Sequence, residues 1–130
     1  MDDDYRKFSA RYSVSHMSNS KWLRLFRAVS ESGIEIQKSN WYFIDSEDVL
    51  QYPMPNESQL FEERFEDGLF QPFEYKWIKS IHIPNQYKPT PGVGYIVEQD
   101  TRGLLAAISI SGKFATEFDN IGLWILGYED

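Results

Sequence analysis

The sequence predicts an α+β fold: a two-layer sandwich with a mainly antiparallel sheet and two helices, at about residues 20–32 and 100–111. Three observations carry that expectation. Strand-like segments outnumber helical ones, the two helical patterns sit towards the ends of the chain, and 130 residues suit one domain with a full core. Aromatic residues make up 16% of the chain, four Trp among them, so the core is expected to rest on a few large side chains.

In chain order, residues 1–18 are polar and aperiodic and read as an N-terminal arm, loosely held or docked on the body, with a frayed terminus favoured over a partner-binding tail. A single domain is then expected over 19–130. Asn19 or Ser20 can cap a helix that Gly33 stops. Within it Trp22, Leu25, Phe26 and Val29 share one arc, with Leu23 at the edge, while Lys21, Arg24 and Arg27 form an opposite, solvated face. Ile34–Ile36 and Trp41–Ile44 read as a hairpin turning at Lys38-Ser39-Asn40. Residues 45–58, with Pro53 and Pro55, read as an exposed acidic connection.

Leu60–Phe65 is expected to pair across an Asp67-Gly68 turn, placing Phe65 opposite Phe70, with Pro72 marking an edge or bulge. Tyr75–Ile83 alternates as a strand that Lys79 interrupts. Residues 85–94 form a loop, followed by a short strand at Tyr95–Val97. Asp100 or Thr101 can cap the second helix, whose Leu104, Leu105 and Ile108 share a face. Gly103 costs that helix about 1 kcal/mol relative to Ala, and Ile108-Ser109-Ile110 reads equally as a strand. Asp119-Asn120 is a turn pair between residues 113–118 and 121–128. The last of these segments is almost wholly apolar, so it is expected to be central or covered on both faces.

Several chemistries are excluded or weakened. Without cysteine there is no disulfide, thiolate zinc site or thiol nucleophile. The pI near 4.8 opposes a broad nucleic-acid-binding face. No apolar run approaches a membrane span, and the acidic Met1-Asp2-Asp3-Asp4 start is unlike a signal peptide, so a cytoplasmic protein is expected. His16 and His82 form no helical ligand pair, and His82 is expected to point away from its isoleucine neighbours. Gly92-Val93-Gly94 lacks the third glycine of a dinucleotide loop and reads as a turn. No serine sits in a Gly-x-Ser-x-Gly elbow. Catalytic residues, metal and cofactor are therefore all expected to be none.

Three blocks carry a family likeness. Asn19-Ser20-Lys21-Trp22 resembles the helix opening of a small bacterial family known only as a domain of unknown function. Ile108-Ser109-Ile110-Ser111-Gly112, and the two short strands after it ending Trp124-Ile125-Leu126-Gly127-Tyr128, are similar to its closing pattern. Phe65-Glu66-Asp67-Gly68, followed by Tyr75-Lys76-Trp77-Ile78, is similar to the family's aromatic hairpin and Trp-containing strand. The resemblance covers most of residues 19–128 and implies the α+β fold. It also implies an association with toxin systems as an immunity protein, and supplies no catalytic residue. The arm before Asn19 departs from the family pattern.

Charge placement gives the functional expectation. Residues 41–74 carry nine acids against Arg64 alone, a net −8, whereas the rest carries eleven acids against twelve bases, a net +1. Asp45, Glu47, Asp48, Glu62, Glu63, Glu66 and Asp67, interleaved with Tyr42, Phe43, Tyr52, Phe61, Phe65, Phe70 and Phe73, are the expected partner-binding residues. The leading expectation is a non-enzymatic binding protein of the immunity or inhibitor type, docking a basic protein such as a toxin. The alternatives are a small hydrolase using paired carboxylates and a structural or regulatory homodimer. Glu62 and Glu66, expected to share a strand face with Arg64 between them, would both be held ionised and read better as a solvated face than as a catalytic pair.

Overall fold

The computed structural model describes residues 2–66, 73–90, 92 and 94–130. It shows the α+β class, with three helices and a five-stranded antiparallel sheet among the described residues. The third helix corrects the expectation of a frayed arm. Asp2–Ser9 forms α1, with Arg6 and Lys7 in its last turn, which is favourable to the helix dipole. The arm continues through strand β1 (Val14–Ser15), which pairs with the C-terminal strand, placing Val14 opposite Glu129 and Ser15 opposite Tyr128.

Helix α2 (Asn19–Ser32) follows the expected pattern, with one shift at its start. Ser18, in place of Asn19 or Ser20, is the cap: its hydroxyl accepts from the Lys21 N–H at 3.2 Å. Gly33 closes the helix with φ +73°, a conformation that side chains with a Cβ resist. Trp22, Leu25, Phe26 and Val29 are all buried, as their spacing requires.

Strand β2 (Ser39–Phe43) is present, but its hairpin partner is β3 (Leu50–Tyr52), which pairs Trp41 with Leu50. Ile34–Ile36 is not a strand. Ile36 is buried in an irregular segment whose carbonyl accepts from the Met54 N–H at 3.0 Å, so its hydrophobic signal is one of core without sheet. The stretch expected to be a bare connection, 45–58, thus holds an edge strand and a 3₁₀ turn at Glu57–Gln59. Strands β4 (Arg64–Phe65) and β5 (Phe73–Glu74) pair Phe65 with Phe73, which corrects the expected Phe65–Phe70 register. Asp67-Gly68, Phe70 and Pro72 lie outside the described residues.

Tyr75–Trp77 is a 3₁₀ turn, and β6 (Ile78–Pro84) is the middle strand of the order β3-β2-β6-β10-β9. Tyr42 faces Ser80 while Phe43 faces Ile78, so Lys79 is the extra residue of a β-bulge. The bulge explains the break in alternation: Ile78 reaches the core together with Ile81 and Ile83, and Lys79 is left free of that register. Gln86–Tyr87 (β7) and Val97–Glu98 (β8) form a small ribbon where a loop and a slightly earlier strand were expected.

Helix α3 (Thr101–Ser111) is capped by Asp100, whose carboxylate accepts from the Gly103 N–H, and residues 108–110 are helical. Strands β9 (Thr116–Phe118) and β10 (Gly122–Leu126) flank the Asp119-Asn120 turn, and Tyr128–Glu129 forms β11. Strand β10 is interior but not central, lying between β6 and β9; Leu123 and Ile125 are buried on the helix-covered face. At Gly122 a Cβ would fall 2.1 Å from the Ile83 carbonyl oxygen, so glycine is what permits the close pairing of β10 with β6.

The core lies between the sheet and the α2–α3 layer. It is strung along aromatic rings. Phe26 stacks between Trp22 and Trp41 at 5.5 and 5.6 Å, Trp41 meets Phe65 at 5.2 Å, and Phe65 meets Phe73 at 5.1 Å. Burial of each such side chain stabilises the fold by about 3 kcal/mol. This chain of rings ties the β4–β5 ribbon to the main sheet.

Candidate functional site

The expected partner-binding acids fall into two groups. Asp45, Glu47 and Asp48 lie in the β2–β3 connection, all exposed, with Val49 exposed beside them. Glu62 and Glu63 are exposed in the irregular segment before β4, next to Phe61, which is 46% exposed. Because Glu62 is not in a strand, it does not share a strand face with Glu66, contrary to the sequence expectation. Asp67 lies outside the described residues.

Some of the surrounding negative charge is countered locally. Arg64 Nε meets Glu66 Oε2 at 2.7 Å, and its guanidinium also lies 5.0 Å from the Phe61 ring centroid. Glu57 faces Arg27 at 3.4 Å and Glu74 faces Lys76 at 3.8 Å. Of the two groups, only Asp45 lines the hollow that Glu74 shares with Phe43, Leu50, Phe73 and Trp77; Glu62 and Glu63 do not line it.

A second concavity, about 430 Å³, is one that the sequence did not suggest. Four elements build it: the arm supplies Phe8, Arg11 and Tyr12, strand β2 supplies Tyr42 and Phe43, the β2–β3 connection supplies Asp45 and Glu47, and the bulge of β6 supplies Lys79. The arm is held against the body by aromatic contacts. Tyr5 and Phe8 meet the Trp77 ring edge-on at 5.6 and 6.2 Å, and Tyr5 and Tyr128 join their hydroxyls at 2.7 Å. Burial, reinforced by that hydrogen bond, pushes the Tyr128 phenol well above its ordinary value. His16 Nε2 lies 2.5 Å from Glu129 Oε2, beside the β1–β11 pairing. The spacing of Tyr5 and Phe8, three residues apart and so on one face of a helix, was a signal available in the sequence.

The sheet face turned away from the helices carries a third arrangement. Register aligns Gln51, Asn40, His82, Trp124 and Glu117 in one row across five strands. His82 therefore points away from the isoleucine face, as expected, yet it is buried because the Trp124 ring lies 4.5 Å away. Asp119 organises this corner: its carboxylate accepts from Trp124 Nε1 at 2.8 Å and from the Gly122 and Ile121 N–H groups at 2.7 and 2.9 Å, and lies 3.4 Å from His82 Nε2. Those donors, the indole first, hold the Asp119 carboxyl well below the usual carboxylate range. With the indole and two backbone N–H groups gathered on one carboxylate, this is a structural clasp for the β9–β10 turn.

Among the described residues no group of three or more His, Asp or Glu side chains could hold a metal ion, and no helix is long and apolar enough to cross a membrane. The α+β class is what the architecture establishes. The chain matches no protein-family model, and no curated protein or solved structure shows significant similarity to it.

Proposed function

We propose that this protein is a non-enzymatic binding module that docks a basic protein partner, acting as an inhibitor or immunity protein. The observation that supports the reading is the interleaving of exposed carboxylates with exposed apolar side chains: Asp45, Glu47 and Asp48 beside Val49, and Glu62 and Glu63 beside Phe61. Carboxylates of this kind speed the encounter with a cationic surface, and an apolar anchor among them slows dissociation. The association is accordingly salt-sensitive.

The test compares wild type with the triple reversal Asp48→Lys, Glu62→Lys and Glu63→Lys. Both immobilised chains are exposed to host extract at low and at high salt, and retained proteins are identified by mass spectrometry. A basic protein held by wild type at low salt, released by high salt and lost with the triple variant is the expected result. Equal retention by the two chains overturns the reading.

A hydrolytic reading has one observation in its favour, since Asp45 and Glu47 line the same concavity. Turnover of a glycan or phosphoester panel that is abolished by Asp45→Asn would favour it over docking.

A further inference from the structure

The 430 Å³ cleft under the arm holds charges of both signs on separate walls. Arg11 comes from the arm and Lys79 from the β6 bulge, while Asp45 and Glu47 come from the β2–β3 connection. Among the described residues no ion pair within 4.0 Å joins either cation to either acid. Each cation is instead placed over an aromatic ring, Arg11 at 4.9 Å from the Phe8 centroid and Lys79 at 5.6 Å from that of Tyr12. Opposite charges that share a cleft without closing on each other leave room for a ligand that satisfies both.

The bulge is an independent feature of the same site. An extra residue in an interior strand disrupts the ladder locally, and bulges commonly re-aim a side chain next to a functional site. Here the re-aimed side chain is Lys79, and it lines this cleft. The cleft volume falls in the range of small-molecule sites, and Tyr12, Tyr42 and Phe43 give it apolar walls.

We propose that the arm completes a binding site for a small zwitterion, a free α-amino acid or a short peptide, with its carboxylate at Arg11 and Lys79, its ammonium at Asp45 and Glu47, and its side chain against the aromatic walls. This site is separate from the docking of a basic partner, although Asp45 and Glu47 border both surfaces.

The test is calorimetric titration of the full chain with L-phenylalanine, L-leucine and the dipeptide Phe-Leu, each beside its N-acetyl and C-terminal amide derivatives. The zwitterions are expected to bind, and blocking either end weakens binding about fivefold, the value of one partly exposed ion pair. Tighter binding of the dipeptide than of the free amino acids assigns the site to peptides, and the reverse order assigns it to amino acids. Arg11→Gln and Lys79→Gln reduce affinity for the parent compounds and leave that for the amides unchanged. The triple reversal at Asp48, Glu62 and Glu63 leaves zwitterion binding intact, so failure of partner docking and failure of this site are read separately. Absence of heat with all three parents at millimolar concentration overturns the proposal, as does equal binding of blocked and unblocked forms. That comparison uses wild-type protein alone, so it stands even where a glutamine variant does not fold.

Discussion

Replacing Tyr75 by Phe tests how burial of one phenol couples stability to pH. The Tyr75 ring is fully buried against Phe26, and its hydroxyl donates to the Phe61 carbonyl at 2.7 Å. Burial pushes the phenol up to about 12, against the opposing charges of Arg27 and Arg64. A folded-state value above the unfolded one means that the associated stability is complete below about pH 10 and is lost as pH rises towards 12. Linkage between those two values gives a loss of about 1 kcal/mol near pH 11.

Near pH 8 the Phe variant should be less stable by about 1 kcal/mol, the net worth of the missing hydrogen bond. Near pH 11 wild type has lost roughly half of its linked stability and the variant has none to lose, so the gap should shrink by about 1 kcal/mol and close. Urea unfolding followed by tryptophan fluorescence at both pH values measures it. Tyr128 titrates in the same direction in both proteins and cancels from the difference. A gap that stays constant between the two pH values would refute the reasoning.

Asp119→Ala should lower the melting temperature at neutral pH by freeing Trp124 and the β9–β10 turn. Because the wild-type carboxyl is held below its ordinary value, its contribution is present above about pH 4 and lost as pH falls through the acid range, so thermal melts of the two proteins should converge on acidification. Gly122→Ala would drive a Cβ to 2.1 Å from the Ile83 carbonyl, a backbone atom that cannot swing aside. It should destabilise the fold by about 2 kcal/mol or more in urea unfolding, and a loss below 0.5 kcal/mol would show that the β6–β10 pair can relax.

Elements with both a period and punctuation were legible in the sequence. Helix α2 had a continuous apolar arc and a glycine stop, and α3 had Asp100 and the Leu104–Ile108 stripe, so their limits were found to within a residue or two. Pairing was less legible. Ile34–Ile36 alternates like a strand, yet its buried Ile36 serves the core from irregular backbone, and the sheet partner of β2 is the less conspicuous Leu50–Tyr52. Lys79 was visible as a broken alternation, but only the strand opposite defines it as a bulge. The acids of the β2–β3 connection could be named from charge alone. Their sharing of a cleft with Arg11 could not, because that depends on an arm docked by contacts more than a hundred residues apart in sequence.

The pairing of residues 14–15 with residues 128–129 has a kinetic consequence. Closing so long a loop is entropically costly until the strands between are in place. The arm is therefore expected to settle, and the cleft it walls to form, after β10 has joined β6. A refolding time course should show Trp77 gaining its Tyr5 and Phe8 neighbours in a phase later than the one that buries Trp41.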